Sequence, residues 1–110
     1  MIIVRTEIQC KWGRAGEVLA SAKASYEQMQ GQLLAVKGVR LLTDMSGAHD
    51  TIVIEAEIES MDAYFAMMDT IFANPEFQAR QAERLKEDHA RLSAERTFYK
   101  VEAVYEWKHQ

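Results

Sequence analysis

The sequence predicts an α+β fold, in which a four-stranded antiparallel sheet carries its helices on one face. Apolar residues alternate with a period of two in four segments, which is typical of half-buried strands. Between those segments they recur every three or four residues, the spacing of a helix with one buried stripe. The resulting order, β-α-β-β-α-(α)-β, is that of the split βαβ, or ferredoxin-like, arrangement.

The first strand is predicted over residues 2–10, where Ile2, Val4 and Ile8 alternate with more polar neighbours. A helix is predicted over residues 15–37. Its buried stripe consists of residues spaced three or four apart: Val18, Ala22, Tyr26, Met29, Leu33 and Val36. At about 1.5 Å per residue such a helix is long enough to cover a small sheet.

The next two strands are predicted over residues 39–45 and 51–59. The segment Ser46–Asp50 supplies turn-forming residues between them, so the two strands are expected to form an antiparallel hairpin. Ser60 is the predicted N-cap of a second helix.

The remaining chain is predicted to form two more helical segments and a last strand. Asn74-Pro75 ends the helix that starts after Ser60, because the residue before a proline disfavours helical geometry. A further helix is predicted from Pro75 to about Arg96, with Glu87 and Arg91 paired at i,i+4 on its exposed side. The last strand is predicted over residues 97–107.

Length and composition describe one globular unit, residues 1–110, with 48% apolar and 27% charged residues. The net charge of −4 argues against a nucleic-acid partner, which needs a concentrated positive surface. No apolar run is long enough to span a membrane, and the four residues before Arg5 are too few for a signal peptide. Cys10 is the only cysteine, so a cytoplasmic location is expected.

The face of the sheet away from the helices is predicted to be mixed in character. It carries Ile3 and Val53 beside charged residues such as Arg5 and Glu55. Such a face is either solvated, as in many antiparallel sheets, or covered by a second copy of the chain, with Arg5 compensating the carboxylates. Contiguous exposed apolar residues favour the homodimer.

Three local features resemble the dimeric α+β barrel superfamily, and within it the NIPSNAP-like proteins. They are Lys11-Trp12-Gly13-Arg14 before the first helix, Gly47 leading into Thr51–Glu57, and Ala73-Asn74-Pro75-Glu76-Phe77-Gln78-Ala79. The resemblance implies that two ferredoxin-like sheets pair into a barrel and that a ligand cavity lies between sheet and helices. The superfamily includes cofactor-free monooxygenases related to antibiotic biosynthesis, haem-degrading enzymes, isomerases and proteins with no assigned activity, so the fold leaves the chemistry open.

Two histidines are candidate catalytic residues. His89 falls on the stripe predicted to be buried, where it is either a proton-transfer group lining a pocket or a histidine satisfied by one hydrogen bond. His49 lies beside Asp50 in the predicted turn, where it is either oriented for chemistry or simply a polar turn residue. Thr6, Tyr26, Tyr64 and His89 are candidate pocket residues, and they are equally suited to an ordinary core.

No cofactor or metal is expected. The histidines show no ligand spacing, and Asn74, Trp12 and Trp107 do not occupy the positions that haem degradation in this superfamily implies. Two functions remain open. The first is a homodimeric NIPSNAP-like module with a pocket for a small apolar molecule. The second is a cofactor-independent monooxygenase or isomerase acting on a small aromatic or polyketide-like substrate.

Overall fold

The computed structural model describes residues 1–47, 49–87 and 90–108, with residues 84–87 described by their backbone alone. It confirms the predicted α+β class. The elements in chain order are β1 (Ile2–Cys10), α1 (Ala15–Met29), a 3-10 turn (Gln30–Gln32), β2 (Val36–Thr43), β3 (Thr51–Ile58), α2 (Met61–Ala73), α3 (Pro75–Glu87) and β4 (Arg91–Lys100).

The four strands form one antiparallel sheet in the order β2-β3-β1-β4. The two central strands, β1 and β3, are therefore flanked on both sides. Thr6, at the middle of β1, lies opposite Ile54 of β3 and Arg96 of β4. Because side chains alternate across a strand, these three residues share one face of the sheet.

The helices pack on that same face and form two separate clusters of buried side chains. The α1 cluster, at one end of the sheet, consists of Ile8, Cys10, Val18, Ile52 and Ala90. The α2 cluster, at the other end, consists of Val4, Ile58 and Tyr64. The assignment of the even-numbered residues of β1 to the helix-facing side is confirmed.

The predicted first helix is too long. The α-helix ends at Met29 instead of residue 37, and β2 begins at Val36 instead of Val39. The backbone at Val36 pairs with Ile58, and the register then shifts before Gly38. Val36 and Val39 are β-branched and pair with the central strand β3, which favours a strand here. Gly31 disfavours continuation of the helix before them.

The boundary between the last helix and the last strand is also wrong in the prediction. The helix ends at Glu87, and β4 spans Arg91–Lys100 instead of residues 97–107. Strand β1 supplies partners for this whole segment, from Cys10 opposite Arg91 to Ile2 opposite Lys100. Ladder hydrogen bonds along this length override local helix propensity. Residues 101–108 have no regular structure, because β1 offers no further partner.

The junctions of α2 and α3 follow the predicted local chemistry. The Ser60 hydroxyl accepts a hydrogen bond from the Ala63 N–H at 3.2 Å, which caps α2. At the break between the helices, the Asn74 side-chain oxygen accepts from the Glu76 N–H at 2.9 Å. Pro75 is the first residue of α3, where its missing N–H costs nothing.

The other side of the sheet, which we call the open face, is not covered by any helix of the described residues. On it Glu55 pairs with Arg40 and, at 3.6 Å, with Arg5, so the predicted compensation by Arg5 exists within one chain. Tyr99 lies on this face, opposite Ile3, and is about half exposed. None of the helices in the described ranges has the length and apolar character needed to cross a bilayer.

Candidate functional site

A cavity of about 420 Å³ lies between the sheet and the helices. It occupies the space between the α1 and α2 clusters, above the middle of β1. Most of its lining is apolar and comes from all three helices and all four strands. The apolar lining residues include Ile8, Ala22, Met29, Leu33, Val36, Val39, Ile54, Ala56, Met68, Phe72, Phe77 and Ala94.

Three of the four predicted pocket residues line this cavity. Thr6 contributes a hydroxyl from β1, and Tyr26 contributes a phenol from α1. Tyr64, on α2, is buried and its ring meets that of Phe98 edge to face, with 5.9 Å between centroids. The fold thus brings together residues that are far apart in sequence, and their role in binding stays a prediction.

The two candidate catalytic histidines do not both fall within the described structure. His89 lies outside the described residues. His49 is exposed in the turn before β3, and its backbone oxygen accepts a hydrogen bond from Gln9 Nε2 at 2.8 Å. His49 is not among the residues that line the cavity, so a catalytic role in this cavity finds no geometric support.

Asp50, the neighbour of His49, is committed to the backbone of another segment. Its carboxylate accepts hydrogen bonds from the N–H of Gly13 at 2.8 Å and of Ala15 at 3.3 Å. The predicted His-Asp pairing is therefore replaced by a contact between the β2–β3 turn and the start of α1.

The cavity also contains three arginines that the sequence analysis did not assign to it: Arg80, Arg91 and Arg96. The prediction had placed Arg91 and Arg96 on a helix. Because Arg91 belongs to β4, its helical pairing with Glu87 is wrong. The alternation of Ala94, Arg96 and Phe98 with Glu95, Thr97 and Tyr99 was the signal that could have placed Arg96 on the helix-facing side.

The hydrogen-bond partners of two of these arginines are neutral. Arg96 donates from Nε to Thr6 Oγ1 at 3.1 Å, across the β1–β4 pair. Arg80 donates from Nη1 to Gln28 Oε1 at 3.1 Å, which ties α3 to α1. The polar part of the cavity is thus built from guanidinium, amide and hydroxyl groups.

The residues considered for haem lie elsewhere. Trp12 is 89% exposed and Trp107 is 78% exposed. Asn74 caps α3 and does not line this cavity. These three residues therefore do not fit a haem site between sheet and helices. Within the described ranges, no three His, Cys, Asp or Glu residues are grouped to hold a metal ion.

A second, more open depression of about 670 Å³ lies between the 3-10 turn and α2. Its lining includes Leu34, Ala35, Met67 and Ile71. No ionisable side chain is among its described lining residues. Of its polar side chains, Thr70 and Asn74 already bond to the backbone of the adjoining helices.

Comparison with known proteins identifies the fold. No protein-family model matches the sequence, and no curated protein matches it either. Among solved structures, an uncharacterised NIPSNAP domain protein from Burkholderia xenovorans is 18% identical, with a TM-score of 0.75. That alignment covers 98% of this chain and 100% of the other.

Two further structures extend the similarity. A candidate antibiotic biosynthesis monooxygenase from Deinococcus radiodurans is 14% identical, with a TM-score of 0.67 and 99% and 100% of the two chains covered. A dimeric ferredoxin-like protein of unknown function from Bacteroides fragilis is 13% identical, with a TM-score of 0.60 and coverage of 91% and 96%. The resemblance to NIPSNAP and antibiotic-biosynthesis-monooxygenase-like proteins is confirmed at the level of the fold.

Proposed function

We propose that this chain is a homodimeric NIPSNAP-like module that binds a small, largely apolar molecule between its sheet and its helices. The cavity of about 420 Å³ carries this proposal. Its volume lies within the range of about 300–1,000 Å³ typical of small-molecule sites. Its lining combines apolar side chains with a few polar groups, including Thr6 and Tyr26, as such sites do.

The binding proposal is tested with a neutral fluorescent probe, N-phenyl-1-naphthylamine, whose emission rises in apolar surroundings. We expect saturable enhancement at micromolar protein. Ala94→Trp places a large ring in the cavity from β4 and should abolish the enhancement. Lys23→Trp, at an exposed position of α1 outside the lining, should not. Unsaturable emission, or equal emission from both variants, would contradict binding in this cavity.

The open face supports the homodimer. Its apolar residues Ile3, Val53 and Tyr99 are left without a covering helix, and residues 101–108 add exposed Val104, Tyr105 and Trp107. Residues 102–108 are all exposed, which is not expected of a segment packed against the open face of its own subunit. The Bacteroides fragilis neighbour is described as dimeric.

Light scattering coupled to size exclusion tests the homodimer. We expect about twice the chain mass of 12.6 kDa at micromolar concentration. Val53→Glu adds a charge to the centre of the open face and should give monomers. Ala79→Glu, on the exposed side of α3, should leave the mass unchanged. A native chain that elutes as a 12.6 kDa species would contradict the dimer.

A cytoplasmic location is part of the proposal. Its support is that Cys10, the single cysteine, is a buried thiol with no second cysteine in the sequence to form a disulfide, which suits a reducing compartment. Fractionation of cells that express the tagged full-length protein tests it, and recovery with a secreted or membrane fraction would contradict it.

A cofactor-independent monooxygenase is the second candidate function. Two tyrosines, Tyr26 and Tyr64, and Thr6 all line the cavity, and their hydroxyl groups are of the kind that could hold an oxidisable aromatic substrate. Anthrone is a suitable probe, since one oxygen atom of O2 enters the ring to give anthraquinone and the other leaves as water. We expect oxygen uptake above the spontaneous rate with the native chain, lowered at least about tenfold by Tyr64→Phe. Uptake no faster than in buffer would exclude this activity.

A further inference from the structure

We propose that the ligand of this cavity carries a carboxylate on its apolar body, and that Arg96 and Arg80 bind this carboxylate. This inference rests on the proposed binding function and specifies the chemical class of the ligand. Among the described residues that line the cavity, three are arginines and none is Asp or Glu. Although the chain has 17 acidic and 13 basic residues, the charged side chains that line this cavity within the described ranges are all positive.

The arrangement of Arg96 suits an incoming anion. Its Nε donates a hydrogen bond to Thr6 Oγ1, and this bond holds the side chain over the middle of β1. The guanidinium has five donor N–H groups in a planar fork, so its two Nη atoms remain for a carboxylate, which such a fork binds in a bidentate manner.

Arg80 approaches from the opposite wall. Its Nη1 bonds to Gln28 Oε1 on α1, so the side chain is held between two helices. Neither Arg80 nor Arg96 belongs to an ion pair recorded among the described residues. A ligand carboxylate between them would gain charge-assisted hydrogen bonds in a site that its own apolar body shields from water.

Competition against N-phenyl-1-naphthylamine tests the inference with 2-naphthoic acid and its neutral amide, 2-naphthamide. The two compounds share one ring system and differ in charge. At neutral pH we expect the acid to displace the probe at a concentration about tenfold lower than the amide, as one charge-assisted contact predicts. Equal displacement by both compounds would overturn the inference while probe binding still supports the proposed function.

Single substitutions test whether Arg96 and Arg80 are the residues that bind the carboxylate. Arg96→Gln and Arg80→Gln should each reduce the preference for the acid over the amide about tenfold or to none, with displacement by both compounds scaled to each variant's own affinity for the neutral probe. Arg14→Gln removes one charge from the same chain at a residue paired with Glu17 outside the cavity, and it should keep the preference. If both cavity variants keep it, or if Arg14→Gln loses it, the assignment to Arg96 and Arg80 is wrong. If a variant fails to fold, the acid and amide comparison on the native chain decides.

Discussion

The carboxylate of Asp50 accepts a hydrogen bond from the backbone N–H of Gly13 at 2.8 Å, across 37 positions of sequence. A second bond from the Ala15 N–H reaches the first residue of α1. The residue at the helix N-cap, Arg14, provides no side-chain cap. Asp50 therefore caps the N-terminus of α1 from the β2–β3 turn, a role that a serine or aspartate at the N-cap position itself commonly has. The same hydrogen bonds join the turn to the helix.

Replacement of Asp50 should destabilise the protein. Asp50→Ala removes the acceptor for two N–H groups and places a residue with a Cβ and no polar side chain at a φ of 60°. We expect a loss of about 2–3 kcal/mol in the free energy of unfolding, measured by urea titration. Asp50→Asn tolerates the backbone angle and keeps one acceptor, so its loss should be about half as large. Equal losses would show that the charge and not the backbone conformation matters most.

Gly13 and Gly16 form a matched pair of test positions. Both have open space where a Cβ would be, but only Gly13 has a positive φ, 77°. Gly13→Ala should cost about 1–2 kcal/mol because of the left-handed backbone. Gly16→Ala lies within α1 and should stabilise by about 0.5–1 kcal/mol. Calorimetry checks both, and a fall in melting temperature for Gly16→Ala would contradict the helical assignment at that residue.

Residues of the α1 and α2 clusters should contribute more to the free energy of unfolding than Thr6, which lies between the clusters. Ile58→Ala removes a side chain that is completely buried and should cost about 3–5 kcal/mol. Thr6→Val keeps nearly the same shape and loses the bond from Arg96, so it should change the free energy of unfolding by about 1 kcal/mol or less. Denaturant titrations at one protein concentration compare them. A cost for Thr6→Val as large as that for Ile58→Ala would refute this division.

Lys37, on β2, and Glu59, the residue that follows β3, form an exposed ion pair. The hydrogen bond from Lys37 lowers the pKa of Glu59 below its usual value, and the same bond raises the pKa of Lys37. The pair thus favours folding above the unfolded pKa of a glutamate, and this contribution is lost as the pH falls through the lowered folded pKa. At high pH it is lost again as Lys37 deprotonates.

An NMR titration of the side-chain carboxyl carbons checks this assignment. In Lys37→Gln the pKa of Glu59 should rise toward its usual value. The pKa of Glu17, which is lowered by its hydrogen bond with Arg14, should stay where it is and serves as the internal control. An unchanged Glu59 titration would place its perturbing charge elsewhere.

The proposed dimer should become tighter with salt. On the open face two arginines, Arg5 and Arg40, share the surface with four glutamates: Glu7, Glu55, Glu57 and Glu95. Two copies that meet through this face bring net negative surfaces together, and salt screens that repulsion. Sedimentation at 50 and 500 mM NaCl should give a lower dimer dissociation constant at the higher concentration. A weaker dimer at high salt would mean that cross-subunit ion pairs dominate.

The order of elements was predictable because it depends on hydrophobic period, and the period changes clearly between residues 2–10 and the stripe from Val18. The boundaries at Val36 and Arg91 were not. There the sequence is compatible with a helix, and the outcome depends on pairing with β3 and β1, strands that are distant in sequence. The hydrophobic pattern within one segment does not specify the distant strand with which that segment will pair.

The same reason limited prediction of the site. Thr6, Tyr26 and Tyr64 were recognisable as polar residues on otherwise apolar faces. Arg96 was not, since a charged residue in a presumed helix is expected on the solvated side. Only when β4 is placed beside β1, with Arg96 opposite Thr6, does its guanidinium lie over the cavity.

The division of the interior into an α1 cluster and an α2 cluster has a consequence for substitutions in the cavity. The buried clusters lie toward the two ends of the sheet, and neither of them includes Thr6 or Arg96, which face the space between them. If stability is divided in this way, substitutions at Thr6 and Arg96 would alter the polar lining of the cavity while both clusters stay intact.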